Sequence, residues 1–173
     1  MPEQTETKTE MQSPGVSVAI PHLKTEQMIE VDRAMIEDYG IELIQMMENA
    51  GRGLARLVTD RFLDGSPTGK RVAVLAGRGG NGGGALVAAR RLSGWGAAVD
   101  VVTTRTAEEY AGVPKHQLEI VGKLPIQRLT AEALESGEHD YAVIVDGIIG
   151  YSLKGAPRGT ALQLIEWLSL IHI

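Results

Sequence analysis

Cysteine is absent from this chain of 173 residues, which excludes disulfides, zinc–thiolate centres and thiol nucleophiles. Basic blocks are missing as well: 17 Lys and Arg stand against 22 Asp and Glu, for a net charge of −5. A nucleic-acid surface needs clustered cations to neutralise phosphates, so no nucleic acid is expected as a partner. No apolar run approaches the roughly 20 residues of a bilayer span, and no membrane partner is expected either. Residues 1–15 lack the basic start and apolar stretch of a signal peptide, with Glu3, Glu6 and Glu10 against Lys8. The reading that follows is a disordered lead-in over residues 1–19, a domain over residues 20–173 and a cytoplasmic protein. His22, His116, His139 and His172 show no metal-ligand spacing and read as structural or solvated.

Glycine, by contrast, is abundant, at 21 residues, and six of them fall between positions 77 and 84. They follow the apolar, β-branched run Arg71-Val72-Ala73-Val74-Leu75-Ala76 and precede an Ala- and Leu-rich helical pattern. A strand feeding a glycine loop and then a helix brings bare backbone N–H groups up to an anionic ligand. Glycine removes the Cβ that would block approach. The helix N-terminus supplies unpaired donors and partial positive charge.

The surrounding pattern alternates. Thr25 reads as an N-cap, with Met28, Val31 and Met35 at helical spacing up to Gly40, and a second helix fits Glu42 to Phe62. Gly51 and Gly53 interrupt that second helix and point to close packing or a nearby ligand. Beyond the turn at 64–69, strands are expected at 71–76, 99–103, 126–129 and 141–146. Helices are expected at 84–93, 114–122, 130–135 and 160–168. Strands spaced by helices imply βαβ crossovers and a mostly parallel sheet, hence an α/β, Rossmann-like three-layer domain preceded by two helices.

Three loop chemistries compete. A Walker-type loop needs Lys-Ser or Lys-Thr after its last glycine, but Gly84 is followed by Ala85-Leu86-Val87. Gly77, Gly79 and Gly82 match the dinucleotide spacing, which is a cheap match in so glycine-rich a loop. The ribose-binding acid expected near the end of the second strand is missing. Asp100 lies near that strand's start, and its end reads Thr103-Thr104-Arg105. Hydride transfer with ordinary NAD is therefore not expected.

The third chemistry comes from four ordered motifs. These are Thr25-Glu26-Gln27-Met28 with Val31-Asp32-Arg33; Met47-Glu48-Asn49-Ala50-Gly51-Arg52; the glycine loop; and Val145-Asp146-Gly147-Ile148-Ile149-Gly150 running on to Gly159. Together they resemble the NAD(P)H-hydrate epimerase, or YjeF N-terminal domain, family over about residues 22–168. The resemblance implies an isomerase of metabolite repair that interconverts the R and S hydrates of NADH and NADPH. It also implies a potassium ion at the site, a dimer, and a separate or fused dehydratase that restores the S form.

By that resemblance, Asn81 and Asp146 are potassium ligands, and Asp146 belongs to the acid–base apparatus. Gly80, Asn81, Gly82, Gly83 and Gly84 hold the substrate, as does the second loop of Gly150, Tyr151, Ser152, Leu153, Lys154, Gly155 and Ala156. The bland alternatives are turn geometry for Asn81, a turn cap for Asp146 and a solvated side chain for Lys154. Glu48 and Asn49 either line the pocket or make a helix–helix contact. Two departures stand out. The family loop reads Asn-Asn-Gly-Gly-Asp, whereas this chain has Gly80 and Gly84 at the outer positions. The family's later Asp-x-Pro-Ser-Gly motif does not occur before the apolar tail Leu168–Ile173, which is expected to be strand-like and to end a truncated domain. Both departures favour the alternative function, a non-catalytic nucleotide-binding or scaffold module of the same fold.

Overall fold

A computed structural model of the chain describes residues 22–137 and 140–171. The lead-in expected at 1–19 lies outside the described residues, as do His139 and His172. Helix α1 spans Thr25–Glu37 and α2 spans Leu43–Phe62. The alternating part then runs β1 (Arg71–Ala76), α3 (Gly80–Gly94), β2 (Ala98–Thr103), α4 (Gly112–Val121), β3 (Gln127–Leu129), α5 (Ala131–Ser136), β4 (Val143–Gly147) and α6 (Thr160–Ile171).

The four strands form one parallel sheet in the order β3-β2-β1-β4. Val72 to Ala76 on β1 are fully buried, as befits a central parallel strand covered on both faces. Alternate residues serve different cores. Val72, Val74 and Ala76 join Val99, Val101 and Val145 under α2, α3 and α4, where Ala55, Val58, Leu86, Leu92, Leu118 and Val121 pack. Leu75 and Val102 face the opposite side, against Leu134 of α5 and Leu164 of α6. The expected three-layer α/β architecture is therefore present.

Local chemistry fixes the element ends. The Thr130 hydroxyl accepts the Ala133 N–H at 3.1 Å and caps α5. In α2, the buried positions Met47, Gly51, Ala55 and Val58 recur at helical spacing. Three expectations are corrected. Helix α3 starts at Gly80, four residues before the expected 84, so most of the glycine run is helix rather than loop. Strand β4 is Val143–Gly147, two residues later than expected at its start. The apolar tail continues α6 through Ile171 instead of forming a strand; its Leu164, Ile165, Trp167 and Leu168 pack on the sheet at helical spacing.

Candidate functional site

Strands β2 and β3 lie on one side of β1 and β4 on the other, so the winding of the chain reverses between β1 and β4. In open α/β sheets the crevice at the carboxyl ends of such a strand pair is where ligands bind. Here it is built by the β1–α3 connection and by the segment that follows β4.

The glycines divide into two groups. The Gly77 N–H donates to the Gly147 carbonyl at 2.9 Å, which draws the two strand ends together. A Cβ at Gly77 would lie 2.0 Å from the Ile148 carbonyl oxygen, and one at Gly82 would lie 1.7 Å from that of Gly77. A Cβ at Gly147 would meet the Ala85 methyl at 2.5 Å. These three glycines are required by backbone packing. At Gly79, Gly80 and Gly84, however, a Cβ would meet nothing within 4 Å. Gly80 and Gly84 sit one helical turn apart and line the same cavity. The first helical N–H to bond back is that of Gly83, to the Gly79 carbonyl at 2.9 Å. The amides of Gly80, Asn81 and Gly82 therefore have no partner within the helix, and α3 directs its positive end into the crevice.

Asp146 and Asn81 meet there, in a cavity of about 150 Å³ lined also by Ala50, Gly51, Leu54, Gly80, Gly84, Ala85 and Gly147. Asp146 does cap its turn: Oδ1 accepts the Ile148 N–H at 2.9 Å. Its other oxygen accepts no hydrogen bond from the described residues. The Asn81 side chain donates from Nδ2 to the Ile149 carbonyl at 2.7 Å, which fixes the amide and leaves Oδ1 without a donor among the described residues. Both residues, each with an oxygen acceptor to spare, thus line one small cavity. No group of three His, Cys, Asp or Glu suited to a metal occurs among the described residues.

A larger groove of about 520 Å³ opens beside it, lined by Arg78, Gly79, Thr104, Arg105, Ile148–Gly150, Ser152–Lys154, Ala156–Arg158 and Ala161. Of the expected second-loop residues, Gly150, Ser152, Leu153, Lys154 and Ala156 line this groove. Tyr151 and Gly155 do not. The Tyr151 hydroxyl donates to Asp32 of α1 at 2.7 Å, a hydrogen bond that, with burial, raises its pKa. Gly155 takes a left-handed turn at φ 77°. Gly82 and Gly83 are buried behind the helix start and line neither cavity; Gly83 packs towards Met47.

Glu48 belongs to a different structure. Its carboxylate accepts from Arg90, from Arg91 at 2.9 Å and from the buried Gln117 at 3.1 Å, tying α2 to α3 and α4. Burial acts to raise the Glu48 pKa, but the two guanidinium groups outweigh it and hold the carboxyl below its ordinary value. Asn49 accepts from Arg52 at 3.2 Å on the surface. Glu48 thus makes the helix–helix contact, whereas Asn49 bonds within its own helix, and neither lines the two cavities described. Asp100 likewise is no ribose ligand, because Arg71 at 2.8 Å and the Tyr141 hydroxyl at 2.7 Å occupy it at the far end of the sheet.

Sequence reasoning missed Arg78 and Arg158 altogether and read Arg105 solely as a missing acid. Their signal was available: Arg78 and Arg105 follow a strand's carboxyl end, and Arg158 lies two residues beyond the second loop.

An all-parallel α/β domain with a glycine-led helix at its winding reversal is a Rossmann-like fold. The chain belongs to the family described as YjeF-related protein N-terminus, which matches residues 43–170. It is 43% identical over 151 residues to the NAD(P)H-hydrate epimerase of Dehalogenimonas lykanthroporepellens, covering 87% of this chain and 60% of that protein. It is 33% identical to the bifunctional NAD(P)H-hydrate repair enzyme Nnr of Salinibacter ruber, covering 86% of this chain and 30% of that one. The crystal structure of yeast ynu0 superposes with a TM-score of 0.76 at 28% identity, over 88% of this chain and 66% of that chain. The chain thus spans less than two thirds of the length of these relatives.

Proposed function

We propose that the protein epimerises the R and S hydrates of NADH and NADPH, as the names of its relatives indicate for them. The observation that carries this reading is the convergence of Asp146 and Asn81 on one cavity beside the free amides of α3. In a hydrate, water has added to the reduced nicotinamide ring. Epimerisation requires the hydroxyl to leave with a proton, as water, and water to return to the other face with loss of a proton. Asp146 gives a proton from its unengaged oxygen to the departing hydroxyl, stabilises the cationic carbon as the carboxylate, and takes a proton back from the returning water. The Asn81 amide, fixed by Ile149, orients the reacting ring.

Potassium fits this donor set, since a carboxylate and an amide oxygen are hard ligands and both have a free acceptor. When bound, the ion would add positive charge beside the start of α3. The reading extends to a dehydratase, separate or fused, that consumes the S hydrate, in keeping with the bifunctional relative. It also includes a homodimer, for which α1 leaves Ile29, Val31 and Ile36 exposed, and a cytoplasmic setting, which suits a chain without cysteine. No helix among the described residues is long and apolar enough to cross a membrane.

One observation favours the binding-module reading. Gly84 presents no side chain where the family resemblance places a carboxylate, and open space where one would fit. Chromatography of purified R-NADPH hydrate incubated with the protein in potassium buffer separates the two readings. Appearance of the S form above the uncatalysed rate supports the epimerase. Nucleotide binding without interconversion by a folded chain supports the module.

A further inference from the structure

In Rossmann-type sites the end of the second strand reads the adenosine ribose. An acid there accepts the ribose hydroxyls of NAD, whereas an arginine accommodates the 2′-phosphate of NADP. In this chain β2 ends at Thr103 and is followed by Thr104 and Arg105, both of which line the large groove. Arg78, Lys154 and Arg158 line it as well, and no Asp or Glu does. A groove with four cations and no acid is notable in a chain of net charge −5.

Most of these charges are uncommitted. Arg78, Lys154 and Arg158 make no ion pair or hydrogen bond among the described residues. Arg105 has a single acidic neighbour, Glu109, at a long 3.9 Å. Glu109 is itself engaged, accepting the Thr106 N–H at 3.2 Å within its own 3-10 turn, Ala107–Glu109. Beyond β2 a second groove of about 500 Å³ shares Thr104 and Arg105 and is lined also by Thr103, Thr106, Arg128, Thr130 and two acids, Glu109 and Glu132. The path from the glycine-led helix past β2 is therefore continuous, and Arg105 stands where its two parts meet.

A dinucleotide pyrophosphate carries two negative charges. Four cations exceed that need, and a ribose phosphate dianion matches the remainder. From this juxtaposition we infer that Arg105, with Arg78, forms a subsite for the adenosine 2′-phosphate, so that the phosphorylated dinucleotide hydrate is the preferred substrate. This rests on the nucleotide-site reading above and specifies which nucleotide the site selects.

Titration calorimetry with adenosine 2′,5′-bisphosphate, adenosine 3′,5′-bisphosphate and adenosine 5′-monophosphate, at one ionic strength, tests it without requiring turnover. The 2′,5′ compound is expected to bind at least tenfold more tightly than the other two. Arg105→Gln, an exposed position that leaves the fold intact by circular dichroism, is expected to collapse that ratio towards one. Equal affinity for the two bisphosphates means general attraction of charge and overturns the subsite. Equal affinity for all three leaves the nucleotide site standing and overturns the preference, as does a ratio unmoved by Arg105→Gln. Binding of none of them removes the nucleotide-site reading and the inference with it.

Discussion

Position by position, the glycines of the β1–α3 connection have separable jobs, and substitution tells them apart. At Gly82 a methyl group would strike the Gly77 carbonyl oxygen at 1.7 Å, so backbone must move. Gly82→Ala is expected to cost roughly 1–3 kcal/mol, the usual range for overpacking, as read from a urea midpoint. At Gly80 nothing lies within 4 Å, and alanine there is expected to stabilise by about 0.5–1 kcal/mol through helix propensity alone. Equal effects at the two sites would contradict this division. Gly84 offers the complementary test. Aspartate has room there, near the positive end of α3, and Gly84→Asp is expected to fold normally and to raise the epimerisation rate roughly tenfold or more. A variant that folds but turns over no faster than the parent would separate position 84 from the chemistry.

At the level of helices and strands, the site depends on how α2, α3 and α4 are held over the sheet, and Glu48 is the pin. Glu48→Gln keeps the shape but removes the charge shared by Arg90 and Arg91, and should cost roughly 1–3 kcal/mol. Because the folded state holds Glu48 below its ordinary value of 4.5, the folded carboxylate binds its proton less readily than the unfolded one. Its stabilising share is complete above that ordinary value and is lost as the pH falls through the lower, folded one. Urea midpoints measured from neutral pH down to about pH 3 should fall more steeply for the parent than for Glu48→Gln. Parallel curves would show that Glu48 contributes no such linkage. The same scale explains what could be read in advance. The β-branched run Val72–Ala76 is bounded by Gly69 and Gly77, and α2 repeats its buried positions at helical spacing, so these elements stood where expected. The start of α3 did not, because four glycines in five positions hide a helical turn whose stability comes from packing on β4 and α2. The tail was misjudged for a related reason: a short apolar run fits either period, and contact with the sheet decides.

Across the whole molecule, the order β3-β2-β1-β4 does what local sequence cannot show. It sets Asn81, which follows the first strand, beside Asp146, which ends the last, though 65 positions separate them in the chain. The motifs named both residues without showing that they line one cavity. Motifs also could not reveal that Tyr151 turns away to Asp32, nor that Arg78, Arg105 and Arg158 from three segments converge on one groove. If α1 forms the dimer surface proposed, sedimentation equilibrium will give twice the chain mass, and charged substitutions at Ile29 and Ile36 will halve it. A monomeric parent would contradict that part of the account.

The most direct measurement compares the rate of R-to-S conversion of NADPH hydrate by the parent chain with that of Asp146→Ala, both in potassium buffer. Conversion by the parent is expected, with a loss of roughly a hundredfold or more in the variant, the scale of a lost acid–base group, and an unchanged circular dichroism spectrum. Equal rates in the two proteins would contradict the placement of the chemistry at Asp146.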